Sequence, residues 1–172
     1  PAPPALPDDV AQRWADQWGE AMVAAARGAI AQHPPIDLTL RDASDTEKMV
    51  DALGGISLGA GNVRLSDPGN ITTLPGFDEG AWWVQDLSAS LPAKLLGAGD
   101  GRTVLDLCAA PGGKTMQLAA AGWDVTGVDI SAKRLERLEA NLARTGLPAH
   151  LVQGDIEKWQ PQAPADAVLL DA

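Results

Sequence analysis

The sequence has no tyrosine, one phenylalanine, one cysteine and two histidines in 172 residues. A single cysteine excludes an intramolecular disulfide framework and a cysteine-based zinc cluster. His33 and His150 stand far apart with no HxxxH or CxxC spacing, so no metal is expected. No apolar run approaches the ~18–20 residues that span a membrane. No basic-then-apolar leader opens the chain, so no membrane partner is expected and a cytoplasmic location is the default. Positive charge is scarce: 13 Lys and Arg stand against 23 Asp and Glu, a net charge of −10. A protein that grips nucleic acid over a broad surface usually carries a basic stripe. The deficit is uneven. Residues 1–100 hold 6 basic and 14 acidic side chains, whereas residues 101–172 hold 7 and 9. An anionic ligand meets least repulsion in the second part.

What remains is the composition of a globular chain, 45% hydrophobic and 21% charged, with six tryptophans. The length suits one domain, or a small module joined to part of another. The chain opens on Pro1 and closes just after a strand-like run, Ala167 to Leu170, so it reads as a piece of a longer protein.

Pro1 to Pro7 reads as an extended lead-in. Asp8 or Asp9 can cap a helix over residues 9–31, with Val10, Trp14, Trp18 and Met22 as its buried stripe at i, i+4 spacing. His33-Pro34-Pro35 stops it. Residues 1–35 are thus a linker and helix. Residues 36–100 read as a small α+β module: strand 36–40, helix 46–53, strands 56–58 and 63–65. Trp82 to Asp86 then runs into a helix over 87–96. Trp82 and Trp83 read as packing between the two modules rather than as stacking platforms for RNA bases.

From residue 103 strands alternate with helices: strands 103–107, 125–128, 150–153 and 167–170, helices 115–121 and after Ser131. Leu135, Leu138 and Leu142 form the inner face of the second helix. This grammar predicts a parallel α/β sheet with right-handed crossovers, whose ligands bind outside the carboxyl ends of the strands. Each strand tip carries an acid: Asp106, Asp129, Asp155 and Asp171. Four carboxylates at one rim suit a ligand with hydroxyl, amino or positively charged groups and repel a phosphate. The turn Cys108-Ala109-Ala110-Pro111-Gly112-Gly113-Lys114 lets a ligand approach the backbone closely, and the helix start behind it favours a carboxylate. The run is neither GxGxxG nor GxxxxGK[ST], which argues against a nicotinamide enzyme and a P-loop nucleotidase.

Leu105 to Thr115 resembles the S-adenosylmethionine motif of the RNA (cytosine-5) methyltransferases of the Sun/nucleolar-protein family. Val128-Asp129-Ile130-Ser131 with Arg134-Leu135, Gly154-Asp155, and Val168 to Ala172 match further family stretches. Leu74 to Phe77, Val84-Gln85-Asp86 and Pro34-Pro35 resemble the family's approach to that domain, although Asp42 stands where the family usually has Asn. The resemblance covers roughly residues 30–172.

It implies a Rossmann-like S-adenosylmethionine-dependent methyltransferase sheet, of which residues 101–172 are the first half. It also implies S-adenosylmethionine as cofactor and RNA, small-subunit ribosomal RNA, as partner. The implied cofactor residues are Cys108, Ala109, Ala110, Pro111, Gly112, Gly113 and Lys114 around the methionine part. Asp129 would take the ribose hydroxyls, Asp155 would lie by the adenine and Asp171 near the methyl-bearing end. The family reaction puts a cysteine thiolate on C6 of cytosine, which makes C5 nucleophilic. No Pro-Cys follows Asp171-Ala172 here, and Cys108 belongs to the loop. No catalytic residue is therefore assigned, the nucleophile is expected beyond Ala172, and the 172-residue chain itself is expected to be inactive. Lys114 and Arg134 also read as ordinary solvated helix residues, Asp106 as a residue orienting the turn, and His150 as structural. A methyltransferase for another substrate and a non-catalytic binding module remain as alternatives.

Overall fold

The computed structural model describes residues 5–30, 32 and 34–171. The first four residues of the lead-in, His33 and Ala172 lie outside the described residues. The described chain forms two compact units, residues 1–35 and 36–172.

In the first unit the expected single helix is two, α1 (Asp8–Trp18) and α2 (Glu20–Ile30). They are broken at Gly19, whose φ of 85° lies outside the helical region. Pro7 stands at the N-cap, and Asp8 and Asp9 lie in the first turn without capping it. The expected stripe is not buried: Trp18 is 53% and Met22 45% exposed, and Val23 carries the burial instead. Trp14 and Trp18 meet edge to face, 5.5 Å between centroids. The break re-phases the turns after residue 19, so an i, i+4 stripe drawn through it joins two different faces.

The second unit contains two sheets. β1 (Ile36–Leu40), β2 (Ile56–Gly59), β3 (Asn62–Leu65) and β4 (Trp82–Val84) form an antiparallel sheet in the order β2-β3-β1-β4. Helix α3 (Thr46–Leu53) ends on Gly54 in the left-handed conformation. Leu38, Leu40, Val63 and Leu65 alternate onto the face that meets Met49 and Trp82. The opposite face is polar and fully paired. Asp37 holds Arg64 in a two-pronged ion pair, at 2.7 and 2.9 Å, and accepts the Leu87 N–H. Asn62 donates to Thr39 and accepts from Lys94.

Strand β4 is absent from the sequence reading, which ran residues 82–86 straight into a helix. Its three apolar residues show no alternation in the sequence: both faces are covered at Trp82 and Trp83, while Val84 at the end is 48% exposed. Leu40 pairs with Trp82 and Thr39 with Trp83, so the two indoles point to opposite sides. Trp82 is buried in the antiparallel module, and Trp83 packs with Met116, Leu138 and Leu142 of the following layer. Neither face is free to stack on a base.

Helix α4 (Leu87–Leu95), capped by Asp86, leads to the second sheet. There β5 (Thr103–Leu107), β6 (Asp124–Asp129), β7 (His150–Gln153) and β8 (Ala167–Leu170) run parallel in the order β7-β6-β5-β8. The connecting helices are α5 (Gly113–Ala120) and α6 (Ala132–Thr145); α6 is capped by Ser131 and stopped by Gly146. Leu135, Leu138 and Leu142 are its buried face, as the sequence predicts. The order reverses between β5 and β8, and that reversal opens a crevice beyond their carboxyl ends.

The end of α6 ties the two sheets together. The Arg144 guanidinium donates to the carbonyls of Phe77 (2.7 Å) and Trp82 (3.1 Å) and lies 4.3 Å from the Phe77 ring centroid. Arg41 donates to the Thr145 carbonyl at 3.0 Å. Arg144→Met keeps the aliphatic stem but strands both carbonyls. The expected cost is about 2 kcal/mol, measurable as a lower urea midpoint; an unchanged midpoint would show that water replaces the guanidinium freely.

Candidate cofactor site

Leu107 ends β5, and the chain turns at Cys108, whose φ of 67° is left-handed. The Ala109 N–H donates to the Val128 carbonyl (3.0 Å) and the Ala110 N–H to the Asp129 carboxylate (3.1 Å), which lays the loop across the end of β6. Gly112 caps α5 with φ 109°. A Cβ there would lie 2.1 Å from Leu138 Cδ1, so the loop sits directly on α6. The first-turn N–H groups of α5 have no partner within the helix and lie at the crevice.

The acids at the rim differ in environment. Asp106 is almost fully buried, and Thr115 Oγ1 donates to it at 2.5 Å. Burial pushes its carboxyl up to about 6, a rise that Asp171 and Asp129 reinforce and that the Thr115 hydrogen bond and Lys114 oppose. Asp129 is also buried. It accepts the Ser131 N–H at 2.9 Å and the Ala110 N–H, and faces Arg134 at 3.4 Å. Its carboxylate therefore fastens the loop to the start of α6. Asp155 is part-exposed, accepts the Glu157 N–H at 3.0 Å and pairs with Lys158 at 3.0 Å. Asp171 reaches across the strand-order reversal to an ion pair with Lys114.

These residues line two adjoining hollows. The larger, about 360 Å³, takes in Asp106, the whole Cys108–Lys114 loop and Asp171, with Val84, Gln85 and Asp86 on its far wall. The smaller, about 130 Å³, is formed by Asp129, Ile130, Gly154, Asp155 and Ile156. Cys108 and Arg134 belong to both. All ten residues singled out in the sequence thus converge on one continuous rim. Among the described residues no group of three or more His, Cys, Asp or Glu side chains is placed to hold a metal ion.

One of the two solvated-residue readings is corrected, that of Lys114; Arg134 keeps a side chain 48% exposed. Lys114 is only 18% exposed in its side chain and is ion-paired. Arg134 donates to the Ala110 carbonyl and faces Asp129 across the junction of the two hollows. Sequence reasoning also missed Ile130 and Ile156; an isoleucine directly after each strand-tip acid was the available signal. His150 lies at the opposite end of the sheet, exposed, 3.9 Å from Asp124.

Residues 93–172 match the family model described as 16S rRNA methyltransferase RsmB/F. The ribosomal RNA small subunit methyltransferase B of Pseudomonas syringae pv. tomato is 38% identical over 173 residues, covering 92% of this chain and 38% of that protein. The chain therefore spans well under half the length of this relative. The solved structure of PH0851 superposes with a TM-score of 0.79 at 26% identity, over 96% of this chain and 41% of that one. NSun6 from Pyrococcus horikoshii, solved with SFG, gives a TM-score of 0.79 at 17% identity over 98% and 71%, which speaks for the fold. The parallel sheet is the Rossmann-like sheet that these solved structures share. Over residues 93–172 the chain is thus similar to the 16S rRNA methyltransferases of the RsmB/F type.

Proposed function

We propose that this chain forms the S-adenosylmethionine site of an enzyme that methylates C5 of cytosine in small-subunit ribosomal RNA. The observation that carries the cofactor reading is the convergence of the Cys108–Lys114 loop with Asp129, Asp155 and Asp171 on two hollows joined at Cys108 and Arg134. The chemistry of the donors fits. Asp106, Asp129, Asp155 and Asp171 outnumber Lys114 and Arg134, which suits a ligand bearing ammonium and sulfonium charges. The α5 N-terminus offers N–H groups to its carboxylate. The larger hollow takes the methionine end, held by the 108–114 backbone, with Asp171 near the methyl-bearing centre. The smaller takes the adenosine end. Asp129 lies at the ribose, Asp155 at the adenine amino group, and the exposed Ile130 side chain offers the adenine an apolar face. When bound, the cofactor supplies an electrophilic methyl group.

The one thiol, Cys108, lies in the loop and is given no nucleophilic role. Residues 36–100 are the module proposed to face the RNA. Its tryptophans are buried, so contact would come from side chains such as Arg41 and Lys48.

Isothermal titration with S-adenosylmethionine tests the cofactor reading. Ile130 is 66% exposed, so Ile130→Ser is expected to leave the melting temperature within about 1 °C. It should weaken the cofactor about tenfold through lost apolar contact. Equal affinity would move the adenine elsewhere. Transfer of a labelled methyl group to cytosine C5 of small-subunit ribosomal RNA by the whole protein checks the acceptor.

A further inference from the structure

Gln85 lies between the antiparallel module and the loop, is almost fully buried, and has no side-chain polar group to spare for a ligand. Its Oε1 accepts the Trp83 indole N–H at 2.9 Å. Its Nε2 donates to Gln117 Oε1 at 3.1 Å and to the Ala89 carbonyl at 3.3 Å. Gln117 in turn donates to the Ser90 carbonyl at 2.9 Å. The amide lies flat against Gly113: a Cβ on that glycine would stand 3.3 Å from Gln85 Cδ and 3.4 Å from Nε2. Gln85 thus touches the first residue of α5 and bonds to the residue one turn later. Two points on one helix fix its axis, and the anchors come from two other elements: β4 through Trp83, and α4 through Ala89 to Gln85 and Ser90 to Gln117.

We infer that Gln85 is a positioning residue for the cofactor. By packing on Gly113 and bonding Gln117, it aims the first-turn N–H groups of α5 into the larger hollow, and it couples the antiparallel module to cofactor affinity. The inference rests on the cofactor reading above. Hydrogen-bond geometry is steep in distance and angle, so a small tilt of α5 weakens every contact made by that turn at once. Glutamine suits the position because it must accept from an indole N–H and donate to an amide oxygen at the same time.

The test is titration of the chain with S-adenosylmethionine alongside thermal melting. Gln85→Glu keeps the acceptor for Trp83 but cannot donate to Gln117. It is expected to weaken binding about tenfold while the protein still melts cooperatively. Gln85→Glu combined with Gln117→Lys restores a donor facing the carboxylate and should bring affinity back to within about threefold of the parent. A merely structural role would move stability without this pattern of loss and rescue. If Gln85→Glu fails to fold, Gln117→Leu, which leaves Gln85 in place and removes its partner together with that partner's bond to Ser90, gives the comparison against the parent. Parent-like affinity in the single variant, or in that substitute, overturns the inference and leaves the cofactor reading standing. No binding by the parent chain overturns both.

Discussion

Gly112→Ala is expected to lower stability by about 3–4 kcal/mol and the melting temperature by about 10 °C. Two costs add. The residue sits at φ 109° and ψ 5°, where an L side chain is strained by roughly 1–2 kcal/mol. The new Cβ would also stand 2.1 Å from Cδ1 of Leu138, which is fully buried in the core under the loop. Either α6 shifts or the loop does, and both carry the site: α6 positions Arg134, and the loop carries the amides of residues 108–114. Cofactor affinity should therefore fall with stability. Gly146→Ala is the control. Gly146 also has a positive φ, 65°, but nothing lies within 4 Å of a Cβ there, so only the backbone cost of about 1 kcal/mol applies. Paired denaturant melts decide the matter; equal losses in the two variants would show that Leu138 yields without cost.

Asp106→Asn is expected to stabilise the protein above pH 7 by up to about 3 kcal/mol, and to have little effect near pH 4. The sign follows from the direction of the shift. The folded carboxyl titrates near 6, above its ordinary value of 3.8, so the folded state binds a proton where the unfolded state has released it. Stability conferred by that proton is present at low pH and is lost as the pH rises from about 4 through 6. The carboxylate then stays buried, with only Thr115 and, at longer range, Lys114 to oppose Asp129 and Asp171. Asparagine still accepts from Thr115 and carries no charge. The measurement is the variant-minus-parent difference in unfolding free energy between pH 4 and pH 8. Subtraction matters because Asp37 and Asp166, held below their ordinary values by Arg64 and Thr103 respectively, slope the other way at lower pH. A flat difference would place Asp106 in a wetter environment than its burial implies. The gain in stability should come with weaker S-adenosylmethionine binding, since an ionised Asp106 favours a nearby cation. A buried charge that destabilises the free protein and favours a cationic ligand is common at binding sites.

The parallel sheet was legible in the sequence because each element carries its own boundary signal. Ser131 and Gly146 bracket α6, Leu135, Leu138 and Leu142 mark its inner face, and β5, β7 and β8 fall where the apolar runs stand. The site was legible for the same local reason. A glycine-containing turn between a strand and a helix, and acids at strand tips, are short-range patterns, and parallel strands bring their tips to one rim by construction. Two readings misled for different reasons. The i, i+4 spacing of Val10, Trp14, Trp18 and Met22 outweighed Gly19, which stands within it and breaks the helix; in the other case the decisive partner is remote. Strand β4 has no alternation because Trp82 and Trp83 are claimed by two different cores.

By itself the sequence determined the order of elements, the net negative charge of the rim and the loop that a small-residue turn must make, since these depend on neighbours within a few residues. Only the tertiary structure decided which groups answer one another. Lys114 meets Asp171 across the strand-order reversal. Arg134, though still half exposed, meets the Ala110 carbonyl and Asp129. Asp129, expected only to take the ribose hydroxyls, also holds the loop. Gln85, some thirty residues before its partner on α5, settles how that helix lies. Each pairing joins residues far apart in the chain, and their charges and hydrogen-bonding capacities are visible in the sequence while their distances are not.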